Sequence, residues 1–289
     1  MKPIAESELI INKDGSIFHL HLKPEQLADT VLLVGDPGRV ATISDMFDKI
    51  EHKVQNREFV THTGTYKGKR FTALATGIGT DNIDIVLNEL DALVNIDLKT
   101  RLPKAEHKTL NLIRIGTSGG LQEDLDVDSF LMTETAIGFD GLLNFYKKRN
   151  SVCKLDIEKE FKKHLNWNPL LTSPYFVDGS KELLEKLGDG IRKGMTISAP
   201  GFYGPQARVI RLDIQDPDIN DKIRSFSYDN KKITNYEMES SALFGLSALL
   251  GHKAATICVI IANRYAGKYS KDYKPAVKKL IETVLNRLV

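Results

Sequence analysis

The chain has 289 residues, of which 42% are hydrophobic and 27% charged, so it is long and apolar enough to bury a substantial core. Its 40 basic and 38 acidic side chains leave a formal net charge of +2, which removes any general electrostatic reason to bind nucleic acid or an anionic membrane surface. The N-terminal segment MKPIAESELI lacks the apolar core of a signal peptide, and no apolar run approaches the ~18 residues of a membrane span, so we expect one cytoplasmic domain over residues 1–289.

Short apolar runs alternate with amphipathic segments along the chain, a rhythm typical of α/β proteins. β-Branched runs predict strands at residues 30–34, 71–75, 112–115, 130–133 and 255–262. Apolar residues at helical spacing predict helices at residues 81–94, 241–250 and 276–288, and residues 178–194 add a capped helix with a glycine-rich exit. The charged segment 99–108 and the segment 142–178, which has no clear period, are expected to be surface insertions or loops.

The two cysteines, Cys153 and Cys258, have neither CxxC spacing nor histidine pairs nearby. Neither lies in the electropositive setting that a reactive thiol needs. We therefore expect two free thiols in a reducing compartment, no metal site and no redox catalysis.

The first glycine-rich turn, GDPGR at residues 35–39, follows a predicted strand and precedes a helix-like stretch. Its backbone N–H groups can form a concave anion site into which Arg39 reaches, and phosphate suits such a site. A tight strand-to-helix turn with Arg39 in solvent explains the same residues. The motif alone does not decide between the two.

A second glycine-rich junction, RIGTSGG at residues 114–120, places Arg114 in an apolar strand and two hydroxyls, Thr117 and Ser118, in the turn expected after it. An arginine there is costly unless it is paired or meets an anion, so burial beside a phosphate explains its presence. A position at a sheet edge, with Arg114 pointing outward, is the alternative.

The segment NYEMES at residues 235–240 places Glu237 and Glu239 around Met238 at the entrance of an apolar helix. A carboxylate accepts two hydrogen bonds from vicinal ribose hydroxyls, so this segment is a candidate sugar site. Two acidic groups that complement the dipole of a solvated helix N-terminus are the alternative.

The segment FYGPQAR at residues 202–208 combines aromatic side chains, an amide and a guanidinium in a loop. Gln206 donates and accepts while Arg208 only donates, which matches the O2, N3–H and O4 edge of uracil, and Phe202 can stack on the ring. An ordinary Gly-Pro turn with exposed polar residues is the alternative.

Taken in order, these clusters resemble the uridine phosphorylase branch of the nucleoside phosphorylase family. The likeness spans most of the chain and rests on these stretches: FHL at 18–20, GDPGR at 35–39, REF at 57–59, TGIG at 76–79, RIGTSG at 114–119, FYGPQAR at 202–208, NYEMES at 235–240 and IANR ending at 264. The resemblance implies the nucleoside phosphorylase type of fold, a single α/β domain with a central mixed β-sheet flanked by helices. It also implies an enzyme that cleaves pyrimidine nucleosides with phosphate.

The resemblance assigns residues to each part of the substrates. Phosphate would be held by Gly35, Arg39, Arg114 and Thr117 of one subunit and by Arg57 of its neighbour. Ribose would be bound by Glu237, Met238, Glu239 and, across the dimer, His19, and the base by Phe202, Gln206 and Arg208. Catalysis would rest on Arg39, Arg114, Arg208 and Glu239. A homodimer is then the minimal active unit, and a hexamer is an open alternative.

The choice of base rests on Gln206 with Arg208 and on the tail Ala262-Asn263-Arg264. Related purine phosphorylases of bacteria usually carry an aspartate in that tail, positioned to protonate N7, whereas Arg264 is expected to support the Gln206–Arg208 loop. A purine phosphorylase or a hydrolytic nucleosidase of the same family is the alternative, and a nucleoside-binding protein without turnover is a further one.

The resemblance implies no cofactor, because inorganic phosphate is a co-substrate and no protein nucleophile is needed. Some family members bind a monovalent cation at the dimer interface, and here Thr80, Asp81 and Asn82 replace the small residues and serine often found after TGIG, which leaves that cation site open. The expected ligands are a nucleoside and phosphate, without nucleic acid or membrane partners.

Overall fold

A twelve-stranded mixed sheet runs through the structure, a computed structural model that describes residues 2–289. Its order is β11-β12-β10-β8-β13-β7-β1-β4-β3-β2, with β9 beside β8 and β14 beside β13, while β5 and β6 pair separately. The strands are β1 Thr30–Val34, β2 Lys49–Asn56, β3 Phe59–Tyr66, β4 Lys69–Ala75, β5 Ile96–Asp97, β6 Leu102–Pro103, β7 Asn111–Gly120, β8 Phe130–Gly138, β9 Tyr175–Asp178, β10 Arg192–Ser198, β11 Ser227–Tyr228, β12 Lys231–Glu237, β13 Lys253–Asn263 and β14 Lys268–Tyr269.

Helices cover both faces of the sheet. They are α1 Pro37–Ser44, α2 Thr80–Asn95, α3 Leu155–Leu165, α4 Lys181–Leu187, α5 Ile219–Ser225, α6 Ser240–Leu250 and α7 Lys274–Leu288. In β1, Val31 and Leu33 pack into the cluster formed with α2 and α6, whereas Leu32 and Val34 pack into the cluster formed with α1, α4 and α7. Burial on both faces explains why this strand is a continuous apolar run without alternation. Across residues 2–289, no helix combines the length and apolarity needed to cross a membrane.

The long strand β7 joins two parts of the sheet. It pairs in parallel with β1 over its first four residues and with β13 along its whole length, and its end pairs antiparallel with β12, where Tyr236 lies opposite Gly119. In the sheet β12 pairs with β10, β10 with β8, β8 with β13 and β13 with β7. Together with the β12–β7 pairing, these five strands form a closed ring. The end of β12, and with it Glu237, is thereby brought to the end of β7.

The sequence predicted the central elements correctly. All five predicted strands are present, within β1, β4, β7, β8 and β13, and the predicted helices 81–94, 241–250 and 276–288 correspond to α2, α6 and α7. The expected α/β fold with a central mixed sheet flanked by helices is confirmed.

Three sequence interpretations were wrong. Residues 142–178 are more than loops, because they contain α3 and β9, and Phe161, Tyr175 and Phe176 are fully buried. Residues 178–194 hold only the short α4 before β10 begins at Arg192, since glycines at 188 and 190 end the helix early. The strand β7 continues through Gly120, so Thr117 and Ser118 lie in a strand rather than in a turn.

Candidate active site

The carboxyl ends of the parallel strands β1, β4, β7 and β13 point to one edge of the sheet, where ligands of open α/β sheets usually bind. The GDPGR turn follows β1 directly, and Asp36 caps α1 by accepting a hydrogen bond from Gly38 N at 2.9 Å. Arg39 in the first turn of α1 is half-buried and donates to Ile115 O of β7 at 3.1 Å. Half-buried Gly35 and Arg39 therefore lie at the end of β1, with Arg39 turned toward β7.

Arg114 lies inside the sheet, between Leu33 of β1 and Thr256 of β13, and is 5% exposed. An outward position at a sheet edge is thereby excluded. Its guanidinium forms an ion pair with Glu239 and approaches Glu237 Oε2 at 3.4 Å. Burial disfavours its charge, but these carboxylates outweigh burial and raise the pKa of Arg114, so the group is a permanent cation.

The two glutamates of NYEMES are buried rather than solvated, with 4% of Glu237 and 3% of Glu239 exposed. Glu237 ends β12 and caps α6: its carboxylate accepts from Ser240 N at 3.0 Å and from the Ser198 hydroxyl at 2.5 Å. Complementing the helix N-terminus is thus part of the role of Glu237.

Glu239 faces the strand ends instead. Its carboxylate accepts from Gly79 N of the TGIG turn at 2.8 Å and pairs with Arg114. Burial and the neighbouring charge of Glu237 raise the pKa of Glu239, while Arg114 acts in the opposite direction. Half-buried Met238 lies between the two glutamates in the chain. Three motifs that are distant in sequence, TGIG, RIGTSG and NYEMES, therefore meet at Glu239.

Two arginines, Arg39 and Arg114, lie near each other at this edge of the sheet. Burial and the charge of Arg114 lower the pKa of Arg39, which means that two cations lie close enough to repel one another. In β7, the buried atoms Arg114 Nε and Ser118 Oγ have no hydrogen-bond partner in the described part of the chain, and half-buried Thr117 precedes Ser118. A small oxyanion would relieve the repulsion and accept from such donors.

The FYGPQAR loop is held by contacts within itself and with the tail. Arg208 Nη1 donates to Gln206 Oε1 at 2.5 Å and to Phe202 O at 2.7 Å, and its guanidinium carbon lies 3.9 Å from the centre of the Phe202 ring. Arg264 donates to Gln206 O at 2.5 Å and to Ala207 O at 3.0 Å, so the tail arginine supports the loop. Gln206 is 2% exposed, which excludes an ordinary solvated turn for that residue.

A cavity of about 1160 Å³ adjoins this loop, with Arg208, Tyr203, Trp167 and Ile210 among its walls. Burial and the nearby charge of Arg264 lower the pKa of Arg208, so a partly anionic ligand would be stabilised beside it. The Phe202 side chain is 50% exposed, and Arg208 covers one face of its ring.

The segments that carry His19 and Arg57 lie next to each other. Arg57 is exposed at the turn between β2 and β3, with φ of 53°, and its guanidinium lies 5.6 Å from the centre of the Phe18 ring. Asn56 Nδ2 donates to His19 O at 2.8 Å and thereby ties the two segments to each other. The structure joins neither residue to Arg114 by a contact.

Sequence reasoning missed Glu89, which lies on α2 beneath His19. Its carboxylate is 2.6 Å from His19 Nδ1 and accepts from Leu20 N at 2.8 Å. The available signal was a glutamate on the apolar face of α2, between Val86 and Leu90, where an unpaired charge is costly. Ser198, which supports Glu237, was missed as well and carries no comparable signal.

One group of metal-ligand side chains, Asp91, His107 and His252, lies outside this site within residues 2–289. Leu110 N donates to His252 Nδ1 at 3.2 Å, so the neutral ring carries its proton on Nε2, which faces Asp91 Oδ1 at 3.2 Å. In that tautomer Nε2 has no lone pair, so His252 cannot bind a metal ion through this atom. We therefore interpret the group as a contact between an acid and a histidine and not as a metal centre.

The fold and the site define an α/β protein in which buried arginine and glutamate side chains gather at one edge of a mixed sheet. A family model described as the phosphorylase superfamily matches residues 29–288. The chain belongs to this superfamily.

The chain is 28% identical over 265 residues to the uridine phosphorylase of Thermococcus kodakarensis, which covers 90% of this chain and 82% of that protein. It is also 28% identical over 254 residues to a DeoD-type purine nucleoside phosphorylase of Listeria monocytogenes, covering 86% of this chain and 88% of that protein. A solved Trypanosoma brucei nucleoside phosphorylase, described as showing uridine phosphorylase activity, matches with a TM-score of 0.88 and 29% identity over 97% of this chain and 99% of that one.

Proposed function

We propose that this protein is a uridine phosphorylase, a pentosyltransferase that replaces the base of a pyrimidine nucleoside by phosphate in nucleoside salvage. One observation carries the proposal: the FYGPQAR loop lies against β7, the strand that also carries Arg114. A Cβ built on Gly119 of β7 would be 3.8 Å from Arg208 Nη2, in the same strand that carries Arg114. A nucleoside and a phosphate would fit side by side at such an edge, with the sugar between the base and the phosphate.

In the proposed reaction, a phosphate oxygen attacks the anomeric carbon as the bond to the base nitrogen breaks, giving ribose 1-phosphate and uracil with inversion. Arg39 and Arg114 hold the phosphate with Gly35 and Thr117, and Glu239 orients the ribose hydroxyls with Glu237 and Met238 beside it. Gln206 and Arg208 stabilise the negative charge that grows on departing uracil. The contribution of the protein is positioning and electrostatics, without a covalent intermediate.

Asn263 supports the choice of a pyrimidine. It is fully buried, its Nδ2 donates to Gln122 O and Leu125 O at 2.8 Å each, and its Oδ1 accepts from Tyr265 N at 3.1 Å. A neutral amide used in this way cannot protonate a purine nitrogen, so the tail lacks the acid that a purine phosphorylase would need. A purine phosphorylase or a nucleosidase is therefore the weaker candidate.

The proposal extends to assembly and setting. Arg57 is exposed, half-buried His19 lies in the neighbouring segment, and this arrangement fits two residues that complete the phosphate and ribose sites of a second subunit. We therefore propose a homodimer at least, formed by single-domain subunits in the cytoplasm. No cofactor is proposed, since inorganic phosphate is the second substrate.

Uracil release from uridine is expected to require phosphate, and inosine is expected to be a poor substrate. The reason is that bound phosphate supplies the nucleophile, while the tail at residues 262–264 lacks an acid that could protonate a purine. Measuring uracil and hypoxanthine release in phosphate-free and phosphate-containing buffer tests both points. Equal uracil release without phosphate would indicate a hydrolase, binding without release would indicate a sensor, and equal turnover of inosine would contradict the base assignment.

Mixing two variants that are each nearly inactive at low phosphate, Arg57→Ala and Arg39→Ala, is expected to restore part of the activity at that phosphate concentration, because some mixed dimers would contain one site with both arginines. Arg39 is chosen because its observed contact is a single bond to Ile115 O, so its loss leaves the buried ion pair intact. The measurement is phosphorolysis after joint unfolding and refolding, with each variant refolded alone as the control. No recovery in confirmed mixed dimers would place Arg57 in its own subunit's site.

A further inference from the structure

Glu89 makes more contacts with the segment 19–20 than a packing role requires. Its carboxylate accepts from His19 N at 2.9 and 3.0 Å, lies 2.6 Å from His19 Nδ1, and accepts from Leu20 N at 2.8 Å. Glu89 itself is 9% exposed and anchored on the buried side of α2. One carboxylate thus holds both the backbone and the imidazole ring of His19.

These contacts determine the proton arrangement on the ring. An ionised carboxylate can only accept hydrogen bonds, so Nδ1 of His19 must carry a proton. The neutral ring then presents an unprotonated Nε2 on its opposite edge, and the His19 side chain is 28% exposed, so that edge is open to a ligand. The carboxylate also removes the freedom of the ring to rotate or to exchange tautomers.

We propose that Glu89 is a positioning residue that orients His19 so that its Nε2 accepts a hydrogen bond from the 5′-hydroxyl of the nucleoside. This inference rests on the proposed function, within which His19 binds the ribose. Its consequence is substrate discrimination: Glu89 would matter for nucleosides that carry a 5′-hydroxyl and hardly for those that lack it. A role confined to holding the backbone would affect both kinds of substrate alike.

The test compares uridine with 5′-deoxyuridine in full-length wild-type protein and in Glu89→Gln. The wild type is expected to prefer uridine roughly tenfold in kcat/KM, the size of one well-made hydrogen bond. Glutamine offers one carbonyl oxygen to three N–H donors, so the ring loses its fixed orientation. Glu89→Gln should therefore lose roughly tenfold on uridine but less than about threefold on 5′-deoxyuridine.

Asp91→Asn is the matched control, because Asp91 lies on the same helix and faces His252 Nε2 at 3.2 Å, away from His19. It neutralises a second carboxylate that faces a histidine on this helix, and it should keep the wild-type preference for uridine. In a His19→Ala background, adding Glu89→Gln should change kcat/KM for uridine by less than about twofold, since the two residues act as one unit.

Thermal unfolding of each variant separates misfolding from a loss of positioning. If Glu89→Gln does not fold, Glu89→Asp provides the same readout, because the shorter carboxylate stays negative but withdraws from the ring, and a lowered preference is expected again. Equal losses on both substrates, or an unchanged preference in a folded variant, would overturn the inference. If the wild-type protein cleaves neither nucleoside, the proposed function itself is contradicted. If it cleaves both without preference, only the contact between His19 and the 5′-hydroxyl, and the inference built on that contact, are contradicted.

Discussion

Replacement of Arg208 by alanine is expected to lower kcat for uridine about a hundredfold, while KM for phosphate changes by less than about threefold. Arg208 lies in the base loop, where burial and the charge of Arg264 already lower its pKa, so it gains most from a partner that becomes anionic. Uracil carries more negative charge in the transition state than in bound uridine, and the loss should therefore appear in kcat and in kcat/KM. Steady-state kinetics with uridine and phosphate varied separately measure both effects.

Arg211→Ala is the control for this experiment. Arg211 is an exposed arginine in the same part of the chain and lines the same cavity, so its loss changes the net charge equally. Its kinetics should stay within about twofold of the wild type, because an exposed residue without a defined partner contributes little. Near-normal uridine turnover by a folded Arg208→Ala variant would remove the main reason for assigning a pyrimidine base.

Replacement of Arg114 by alanine is expected to impair both the fold and the activity. Removing the guanidinium leaves Glu237 and Glu239 buried without their cation, which destabilises a protein by roughly 3 to 5 kcal/mol. It also removes a phosphate ligand, so KM for phosphate should rise and kcat/KM should fall at least about a hundredfold. Urea unfolding monitored by circular dichroism gives the first quantity and phosphorolysis assays give the second.

Two further variants separate stability from catalysis. Arg39→Ala should raise KM for phosphate but change the free energy of unfolding by less than about 1.5 kcal/mol, since it removes one hydrogen bond. Combining Arg114→Met with Glu239→Gln should recover part of the lost stability without recovering activity, because it removes excess buried charge but supplies no cation. An Arg114→Ala variant as stable as the wild type would contradict the buried ion pair.

The amino-acid sequence by itself determined the elements whose apolar residues follow a regular pattern along the chain. Strand β1 and strand β13 are continuous apolar runs because helices cover both of their faces. Helices α2 and α7 show helical spacing because each packs one side against the rest of the fold, whereas α6 is apolar all round because residues 240–247 are all buried. The start of α1 also follows from local sequence, because Asp36 caps this helix and Pro37 occupies its first turn, directly after β1. For these elements the signal lies within a few neighbouring residues.

The secondary structure of segments that are stabilised by distant partners could not be predicted from the sequence. The edge strand β2 alternates between exposed and half-buried positions and contains few apolar residues, so it shows no strand-like run. Residues 142–178 lack a period, yet Phe161 packs against Phe176 and Phe226, with ring centres 5.3 and 5.1 Å apart. These contacts join three elements, and a pattern read within one element cannot report them.

In the candidate site, too, the sequence left alternatives open that only the structure decided. From the sequence, Arg114 was either an outward residue or a buried anion ligand, and Glu239 was either a dipole complement or a sugar ligand. Only the tertiary structure decided that Arg114 is buried, because the antiparallel pairing of β12 with β7 brings Glu237 and Glu239 to a guanidinium that lies more than a hundred residues away in the chain. The contact between Glu89 and His19 arose in the same way. Sequence patterns specify which face of an element is apolar, whereas the partner of a buried charge depends on how the strands and helices are arranged in space.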